Sequence, residues 1–201
     1  MSAQSSLFAP SVSAPLRVGE YSTVLADPPW LERGGGQIKR GADRHYPLMP
    51  TAAICALPVG QWAAPDAHCY LWVTNNFLPD GLHVLAAWGF RYVTKITWFK
   101  GESVDELQVG LGQYFRGCTE DCLFGVRGTV PYRVRPDGKR AQGRTGFAAP
   151  RGEHSVKPDA LRRMVELVSP GPYLELFARR PAPGWDVWGN EVTDEKDTTT
   201  P

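Results

Sequence analysis

The stretch STVLADPPW, residues 22–30, decides the fold, because a strongly β-forming run ends abruptly in an acid, two prolines and a tryptophan. Thr23 to Ala26 favours a buried strand. Proline lacks the amide hydrogen that a strand ladder needs, so the strand ends before Pro28. This stiff and polar strand end raises two interpretations, a ligand pocket or a simple turn.

The four residues after the strand have complementary chemistry for a flat ligand with an exocyclic amine. The carboxylate of Asp27 only accepts hydrogen bonds, the two prolines are rigid, and Trp30 offers a broad aromatic face. The Asp27 carboxylate and the Pro28 carbonyl could hold both N–H bonds of an adenine amine, while Trp30 replaces base stacking. In the alternative interpretation Asp27 caps a turn and Trp30 belongs to the core. On these residues alone both remain open.

Composition favours one folded domain with tails. The chain has 201 residues, 42% hydrophobic and 21% charged, which excludes disordered and fibrous classes. We expect a flexible leader over 1–18, the domain over 19–192 and a polar tail over 193–201. The spacing of the four cysteines fits neither a disulfide framework nor paired zinc knuckles, so free thiols and no metal site are expected. The sequence shows neither a signal peptide nor an apolar run of about 20 residues, which predicts a cytoplasmic protein with no membrane partner.

Strands alternate with helices along the chain. The helical spacing of apolar residues in 78–88 ends at Gly89, and that in 161–168 lies between Pro158 and Pro170-Gly171. This alternation predicts a doubly wound α/β sheet. Ligands of such sheets bind beyond the carboxyl ends of the strands, where Asp27, Asn75 and Asn190 fall. The predicted strands are 22–26, 69–74, 91–99, 121–127, 173–178 and 185–188.

Two segments resist regular assignment, 31–47 and 128–155. The formal net charge is only +1, but residues 127–157 hold eight Lys or Arg and two acids. A local cationic surface of this kind favours a phosphate backbone as partner. The candidate phosphate contacts in it are Arg133, Arg135, Lys139 and Arg140.

DPPW occurs together with six further motifs, spread over residues 20–192. In order they are HYPLM (45–49), LWVTNNFLPDGLHVLAAWGF (71–90), ITWFKG (96–101), GQYFRGCTEDCLFGVRG (112–128), HSVKPDALRRMVELVSPG (154–171) and LELFARRPAPGWDVWGNEV (174–192). With these motifs the chain resembles the DPPW-type adenine-N6 methyltransferases, the family that includes the catalytic subunit of the eukaryotic messenger-RNA adenosine methyltransferase and many bacterial and phage enzymes. The resemblance implies S-adenosylmethionine as cofactor and adenine in nucleic acid as substrate.

The resemblance also implies roles for individual residues. Asp27, Pro28, Pro29 and Trp30 match the catalytic motif, and Asp27 would also lie near the methionine end of the cofactor. Lys157 would meet the cofactor carboxylate, Arg179 would lie next to the cofactor, and Asn190 and Glu191 would bind the ribose hydroxyls. Softer matches for substrate contact are Tyr46, Asn75 and Glu120, of which Glu120 could instead pair with Arg116.

In this family the strand that bears DPPW precedes the cofactor-binding strand, so the resemblance implies a circularly permuted Rossmann-like methyltransferase fold. DNA is favoured over RNA as substrate because the chain is small, and a homo- or heterodimer stays open. Three alternatives remain: an RNA adenosine methyltransferase, a catalytically silent nucleic-acid-binding scaffold for a partner subunit, and a methyltransferase for a small molecule or a protein amide.

Overall fold

A mixed β-sheet forms the centre of the molecule. The computed structural model describes residues 11–12, 15–31, 48–112, 114–129, 132–152 and 156–189. Within these residues the strands are β1 (Ser11–Val12), β2 (Tyr21–Ala26), β3 (Ala63–Val73), β4 (Arg91–Lys100), β5 (Thr119–Arg127), β6 (Gly146–Ala149), β7 (Tyr173–Leu176) and β8 (Trp185–Gly189). The helices are α1 (Thr51–Cys55), α2 (Val59–Trp62), α3 (Leu78–Ala87) and α4 (Asp159–Val168), and a single 3₁₀ turn covers Asn75–Phe77.

The strand directions bring several strand ends to one edge. The order in the sheet is β1-β8-β7-β2-β3-β5-β4-β6. Strand β2 runs parallel to both β3 and β7, whereas β5 runs antiparallel between β3 and β4. The carboxyl ends of β2, β3, β4 and β7 therefore share an edge with the amino end of β5. This edge, called the carboxyl edge below, is where ligands of open α/β sheets bind.

Apolar residues cover both faces of the sheet. One buried cluster joins Val24 and Ala26 of β2 to α1, α2 and α3 through residues such as Ile54 and Leu85. The other joins Leu25 of β2 to α4 through Leu161. Burial on both sides explains why Val24, Leu25 and Ala26 of β2 are apolar in succession and do not alternate with polar residues. The result is an α/β domain with a mixed sheet, as the alternating pattern predicts.

The predicted strands and the two long helices are confirmed within one or two residues at most ends, although β3 begins six residues earlier than predicted. Gly89 has a φ of +84°, as a left-handed residue after α3 requires. The predicted buried face of α3 is partly wrong, because Leu82 is 39% exposed while Gly81 and Val84 are buried. Gly81 fits there because a Cβ would collide with the Val73 side chain.

The structure shows contacts of the predicted leader and corrects one predicted loop. Ser11 and Val12 pair with β8, and the Arg17 guanidinium lies 2.8 Å from the Asp186 carboxylate. Strand β6 lies inside the predicted irregular segment 128–155 and pairs with β4. The short elements β1, β6, α1 and α2 lack a clear periodic signal, since each has five residues or fewer. All four cysteines are free thiols. None of the described helices is long and apolar enough to cross a membrane.

Candidate active site

Asp27 lies at the carboxyl edge, directly after β2 and between β7 and β3. Its backbone amide donates to the Leu176 carbonyl at 3.4 Å, which continues the β2–β7 ladder by one step. Both carboxylate oxygens of Asp27 contact the Lys157 ammonium, at 2.8 and 2.9 Å. Lys157 is held in place because Pro158 follows it and fixes the entry of the chain into α4.

Lys157 joins Asp27 to a second carboxylate at the same edge. Its ammonium lies 3.0 Å from Glu120, at the start of β5, and Glu120 in turn lies 2.9 Å from Lys100, at the end of β4. The Lys157 ammonium also lies 5.4 Å from the centre of the Trp72 ring. We call Asp27, Lys157, Glu120 and Lys100 the charge cluster. It connects β2, β4, β5 and the start of α4 through side chains that are each less than one quarter exposed.

Burial and opposite charges shift the pKa values in the charge cluster in different directions. Burial raises the pKa of the Asp27 carboxyl, although the Lys157 ammonium opposes this. Burial would also raise the pKa of Glu120, but the two ammonium groups beside it, Lys157 and Lys100, bring it below its ordinary value. Burial disfavours the Lys157 ammonium, yet Asp27 and Glu120 outweigh burial and raise its pKa. At neutral pH Lys157 is therefore charged, and its ammonium holds the two carboxylates together at the edge of the sheet.

A pocket of about 110 Å³ opens beside Asp27 and Lys157. Arg179 and Phe177, which follow β7, line it, as does the amino end of α4. Phe177 has a φ of +62°, which is uncommon for a side chain of this size and is typical of functional turns. A chain of ion pairs forms one wall: Arg180–Asp159 at 2.8 Å, Asp159–Arg162 at 3.1 Å and Arg162–Glu175 at 2.7 Å.

The charges of the pocket suit an amino-acid-bearing cofactor. S-adenosylmethionine carries an ammonium, a carboxylate and ribose hydroxyls. Asp27 and Glu175 are carboxylate acceptors for an ammonium or a hydroxyl, and Lys157 and Arg179 are cations for a carboxylate. The donor and acceptor set therefore fits, and Lys157 and Arg179, both predicted cofactor contacts, line the pocket. Asn190 and Glu191, predicted to bind the ribose, lie outside the described residues.

The structure corrects the expectation for Trp30. Its side chain is 7% exposed and belongs to the core, where the ring stacks on Phe77 with centroids 5.3 Å apart. Its indole N–H donates to the Trp72 carbonyl at 3.1 Å. The ring therefore has no open face for a base, because Phe77 and the surrounding core cover it. For this residue the interpretation as a core tryptophan is the right one.

The two proline carbonyls are already hydrogen-bonded. The Pro28 carbonyl accepts from the Trp30 amide at 2.9 Å, and the Pro29 carbonyl accepts from the Met49 amide at 2.7 Å. These bonds fix the loop after β2 in one shape. A carbonyl oxygen has two lone pairs, so Pro28 still has capacity for a ligand N–H.

The structure describes two of the three softer matches for substrate contact, Asn75 and Glu120. Asn75 is exposed at the start of the 3₁₀ turn, and Tyr46 lies outside the described residues. Glu120 does not pair with Arg116, because Lys100 and Lys157 are its partners. Arg116 is exposed and donates to the Gly110 carbonyl at 2.8 Å. The sequence-based alternative of an Arg116–Glu120 pair is therefore wrong.

The four basic residues predicted to contact phosphates lie far from Asp27. Arg133 donates from its side chain to the Glu166 carbonyl and from its backbone to the Val168 carbonyl, at the end of α4. The ten residues of α4 span about 15 Å, and Lys157 lies just before their other end. Arg135, Lys139 and Arg140 share a small hairpin with Arg133, closed by bonds such as Arg135 amide to Lys139 carbonyl at 2.8 Å. This hairpin does not line the pocket.

Sequence reasoning missed Lys100, Arg162 and Glu175. A signal for Lys100 is present, since it directly follows the predicted strand 91–99 and ends β4 at the carboxyl edge. In the sequence, Arg162 looks like any cation on a helix and Glu175 like any acid on a strand. Only the packing of α4 against β7 brings the Arg162 guanidinium within 2.7 Å of the Glu175 carboxylate. No local pattern encodes that distance.

The sequence matches one protein-family model and is similar to several known methyltransferases. The family model described as MT-A70 matches residues 21–191. The Type II methyltransferase M.MunI of Mycoplasma sp is 29% identical over 88% of this chain and 80% of its own length. The N(6)-adenine-specific methyltransferase METTL4 of Homo sapiens is 28% identical over 86% of this chain and 37% of its own length. The N6-methyladenosine RNA methyltransferase MTA1 of Cryphonectria parasitica is 30% identical over 86% of this chain and 52% of its own length.

Proposed function

Because the chain belongs to the MT-A70 family of N6-adenine methyltransferases, we propose that it transfers a methyl group from S-adenosylmethionine to the N6 amine of adenine in nucleic acid. The observation that carries the proposal is the position of the Asp27 carboxylate, at the carboxyl edge, on the wall of a pocket and clamped by Lys157. A scaffold has no need of a partly buried carboxylate whose geometry is fixed in this way.

Asp27 holds the amine and takes up its proton. The adenine amine is a weak nucleophile, because its lone pair is delocalised into the ring. The Asp27 carboxylate accepts one N–H, and the free lone pair of the Pro28 carbonyl accepts the other, so that the nitrogen lone pair turns out of the ring plane. Burial raises the pKa of Asp27, which makes its carboxylate a better acceptor for the proton that the amine loses.

Lys157 and the pocket wall orient the reactants. The family is dependent on S-adenosylmethionine, which supplies an electrophilic methyl group on a sulfonium when bound. Lys157 fixes both oxygens of Asp27 and offers its ammonium to the pocket, while Arg179 adds a second cation. Arg162 neutralises Glu175 at 2.7 Å, so that the pocket wall carries no unpaired carboxylate there.

We favour DNA over RNA as substrate. This preference is supported by the similarity to the Type II methyltransferase M.MunI, which is 29% identical over 88% of this chain. The runner-up is adenine in RNA, and the relatives of both kinds are equally similar in sequence.

We also propose that the sheet is a circularly permuted methyltransferase sheet. Strand β2, which bears the Asp27 motif, precedes β7 in the chain by about 150 residues, yet the two are parallel neighbours. The pocket side of β7 then plays the part of the cofactor-binding strand, which is supported by Phe177 and Arg179 lining the pocket.

The direct test is mass spectrometry of nucleosides from DNA and RNA of cells that express the wild type or Asp27→Asn. We expect N6-methyladenine with the wild type and none above background with the variant. Asp137→Asn is the matched control, because Asp137 is an exposed carboxylate of the distant hairpin. Absence of methylation by a wild-type protein that binds S-adenosylmethionine in calorimetry would refute the proposal.

A further inference from the structure

The loop between β4 and β5, residues 101–118, presents two neighbouring aromatic rings to solvent. Tyr114 is 92% exposed and Phe115 is 93% exposed, the highest values among the large hydrophobic residues described. Exposed apolar rings are unfavourable in water and mark interaction sites when they cluster. We call residues 110–112 and 114–117 the aromatic turn.

Hydrogen bonds close the base of the aromatic turn. The Gly110 amide donates to the Gly117 carbonyl at 2.7 Å, and the Gly117 amide donates to the Leu111 carbonyl at 3.0 Å. A Cβ on Gly112 would collide with the Phe115 carbonyl, so that the chain needs glycine there to turn so tightly. Tyr114 and Phe115 are therefore displayed by a built turn.

Both ends of the loop are tied to the charge cluster. Lys100 precedes the loop and Glu120 follows it, and their side chains form an ion pair at 2.9 Å. Glu120 reaches Asp27 through Lys157. Phe115 is five residues from Glu120, so their Cα atoms are at most about 18 Å apart. This distance corresponds to about five base steps of a nucleic-acid strand.

Two exposed arginines lie beside the aromatic turn. Arg116 donates its Nε–H to the Gly110 carbonyl at 2.8 Å. The guanidinium of Arg151 lies against Gly110, where its Nη2 would be 2.9 Å from an added Cβ, and the Arg151 amide donates to the Gln108 side chain at 3.0 Å. Rings with guanidinium groups beside them are typical of surfaces that stack bases and contact phosphates.

We propose that Tyr114 and Phe115 stack on bases next to the target adenine, while Arg116 and Arg151 contact the neighbouring phosphates. The inference rests on the proposed function, since a base moved out of its stack leaves neighbours with an exposed face. The rings of Tyr114 and Phe115 also supply the stacking surface that the buried Trp30 ring cannot. Val109 and Leu111 are exposed too, as a protein partner would require, but the two cations and the tether to Asp27 favour nucleic acid.

Binding measurements separate this inference from catalysis. Fluorescence anisotropy with labelled random-sequence DNA, single-stranded and duplex, compares the wild type with Tyr114→Ala/Phe115→Ala over a series of salt concentrations. One stacked base is worth about 5- to 150-fold in affinity, so we expect at least a fivefold loss with at least one of the two DNA forms. The salt slope should stay unchanged, because no charge is removed. Arg116→Gln and Arg151→Gln should each reduce the slope by about one.

The controls are Val104→Ser, an exposed residue of the same loop outside the aromatic turn, and Arg91→Gln, an exposed cation at the start of β4. Both should retain wild-type binding. A double variant that binds both DNA forms within about twofold of the wild type would overturn the inference, since one stacked base is worth more than that. So would a wild-type oligomer that the double variant converts to a monomer in light scattering, which would show a protein interface. Failure of the proposed function would give a different result. The wild type would then methylate no adenine, whatever its affinity for DNA.

Discussion

At the scale of single residues, Asp27 carries the chemistry. Asp27→Asn replaces a carboxylate with two acceptor oxygens by an amide that has one acceptor oxygen and one donor NH₂ group and cannot take up a proton. We expect turnover to fall by a factor of about 10² to 10³ or more. The circular dichroism spectrum should change little, because asparagine is isosteric with aspartate. The assay is label transfer to adenine, with Asp137→Asn as the control. A variant with wild-type turnover would remove Asp27 from the mechanism.

Trp30 is the residue whose role the structure changes most. Trp30→Ala removes a buried ring that stacks on Phe77, and we expect a loss of about 3–5 kcal/mol in the free energy of unfolding. Trp30→Phe keeps most of the packing but loses the bond to the Trp72 carbonyl, which should cost about 1–3 kcal/mol. Urea denaturation measures both values. A stable Trp30→Ala protein with weakened DNA binding would instead restore the base-stacking role.

The sequence could predict what Asp27 is but not what surrounds it. Its position after a buried strand follows from local pattern, as do its proline neighbours. Whether Trp30 faces a ligand or the core depends on Phe77, which is 47 residues away and becomes a neighbour only when β3 pairs with β2. The same holds for Glu120, whose partners Lys100 and Lys157 come from two other elements. Long-range neighbours of this kind have no local signal.

At the scale of elements, the hairpin that carries Arg133, Arg135, Lys139 and Arg140 donates hydrogen bonds to the end of α4. The side chain of Arg133 donates to the Glu166 carbonyl, one of the last carbonyls of the helix, which lacks a helical partner. The positive charge also interacts favourably with the helix dipole. The residue that the sequence marks as a phosphate contact is thus part of a helix cap.

Arg133→Gln should lower the free energy of unfolding by about 0.5–2 kcal/mol, because a charged donor is lost from the helix end. Arg135→Gln is the matched control. Arg135 is exposed and pairs with Asp137, and exposed pairs are worth less than about 1 kcal/mol. Urea denaturation of the two variants gives the comparison. Equal stability of the variants, combined with weaker DNA binding by Arg133→Gln, would favour the phosphate contact.

The sequence pattern is informative for elements that carry a clear apolar run or a helical period. It locates β2, β4, β5, β7 and both ten-residue helices α3 and α4, since each has a clear apolar pattern. It misses β6, because four residues inside a basic segment show no such pattern and their pairing depends on β4. The candidate site could be located from these elements, because the charge cluster lies at their ends.

At the scale of the whole molecule, the charge cluster joins the two halves of the sheet. Lys157 lies between Asp27 at the end of β2 and Glu120 at the start of β5, which are separated in the sheet by β3. One ammonium thus contacts two carboxylates from different parts of the chain, and Lys100 supplies the second positive charge. Removal of the Lys157 ammonium leaves two carboxylates close together in a partly buried site, and Lys100 is close to only one of them. The stability of the fold should therefore respond to pH in a defined direction.

We expect Lys157→Met to lower the free energy of unfolding by about 3 kcal/mol at about pH 7.5, because it leaves buried carboxylates without their cation. In the variant the pKa of Asp27, which burial raises even beside Lys157, rises further, so the folded state binds more protons than the unfolded state. The deficit relative to the wild type should consequently shrink as the pH falls to about 5. Urea denaturation at both pH values measures it, with the exposed Lys139→Met as control. A deficit of equal size at both pH values would show that the contact of the Lys157 ammonium with the Trp72 ring accounts for the loss, and that the charge balance of the cluster contributes little.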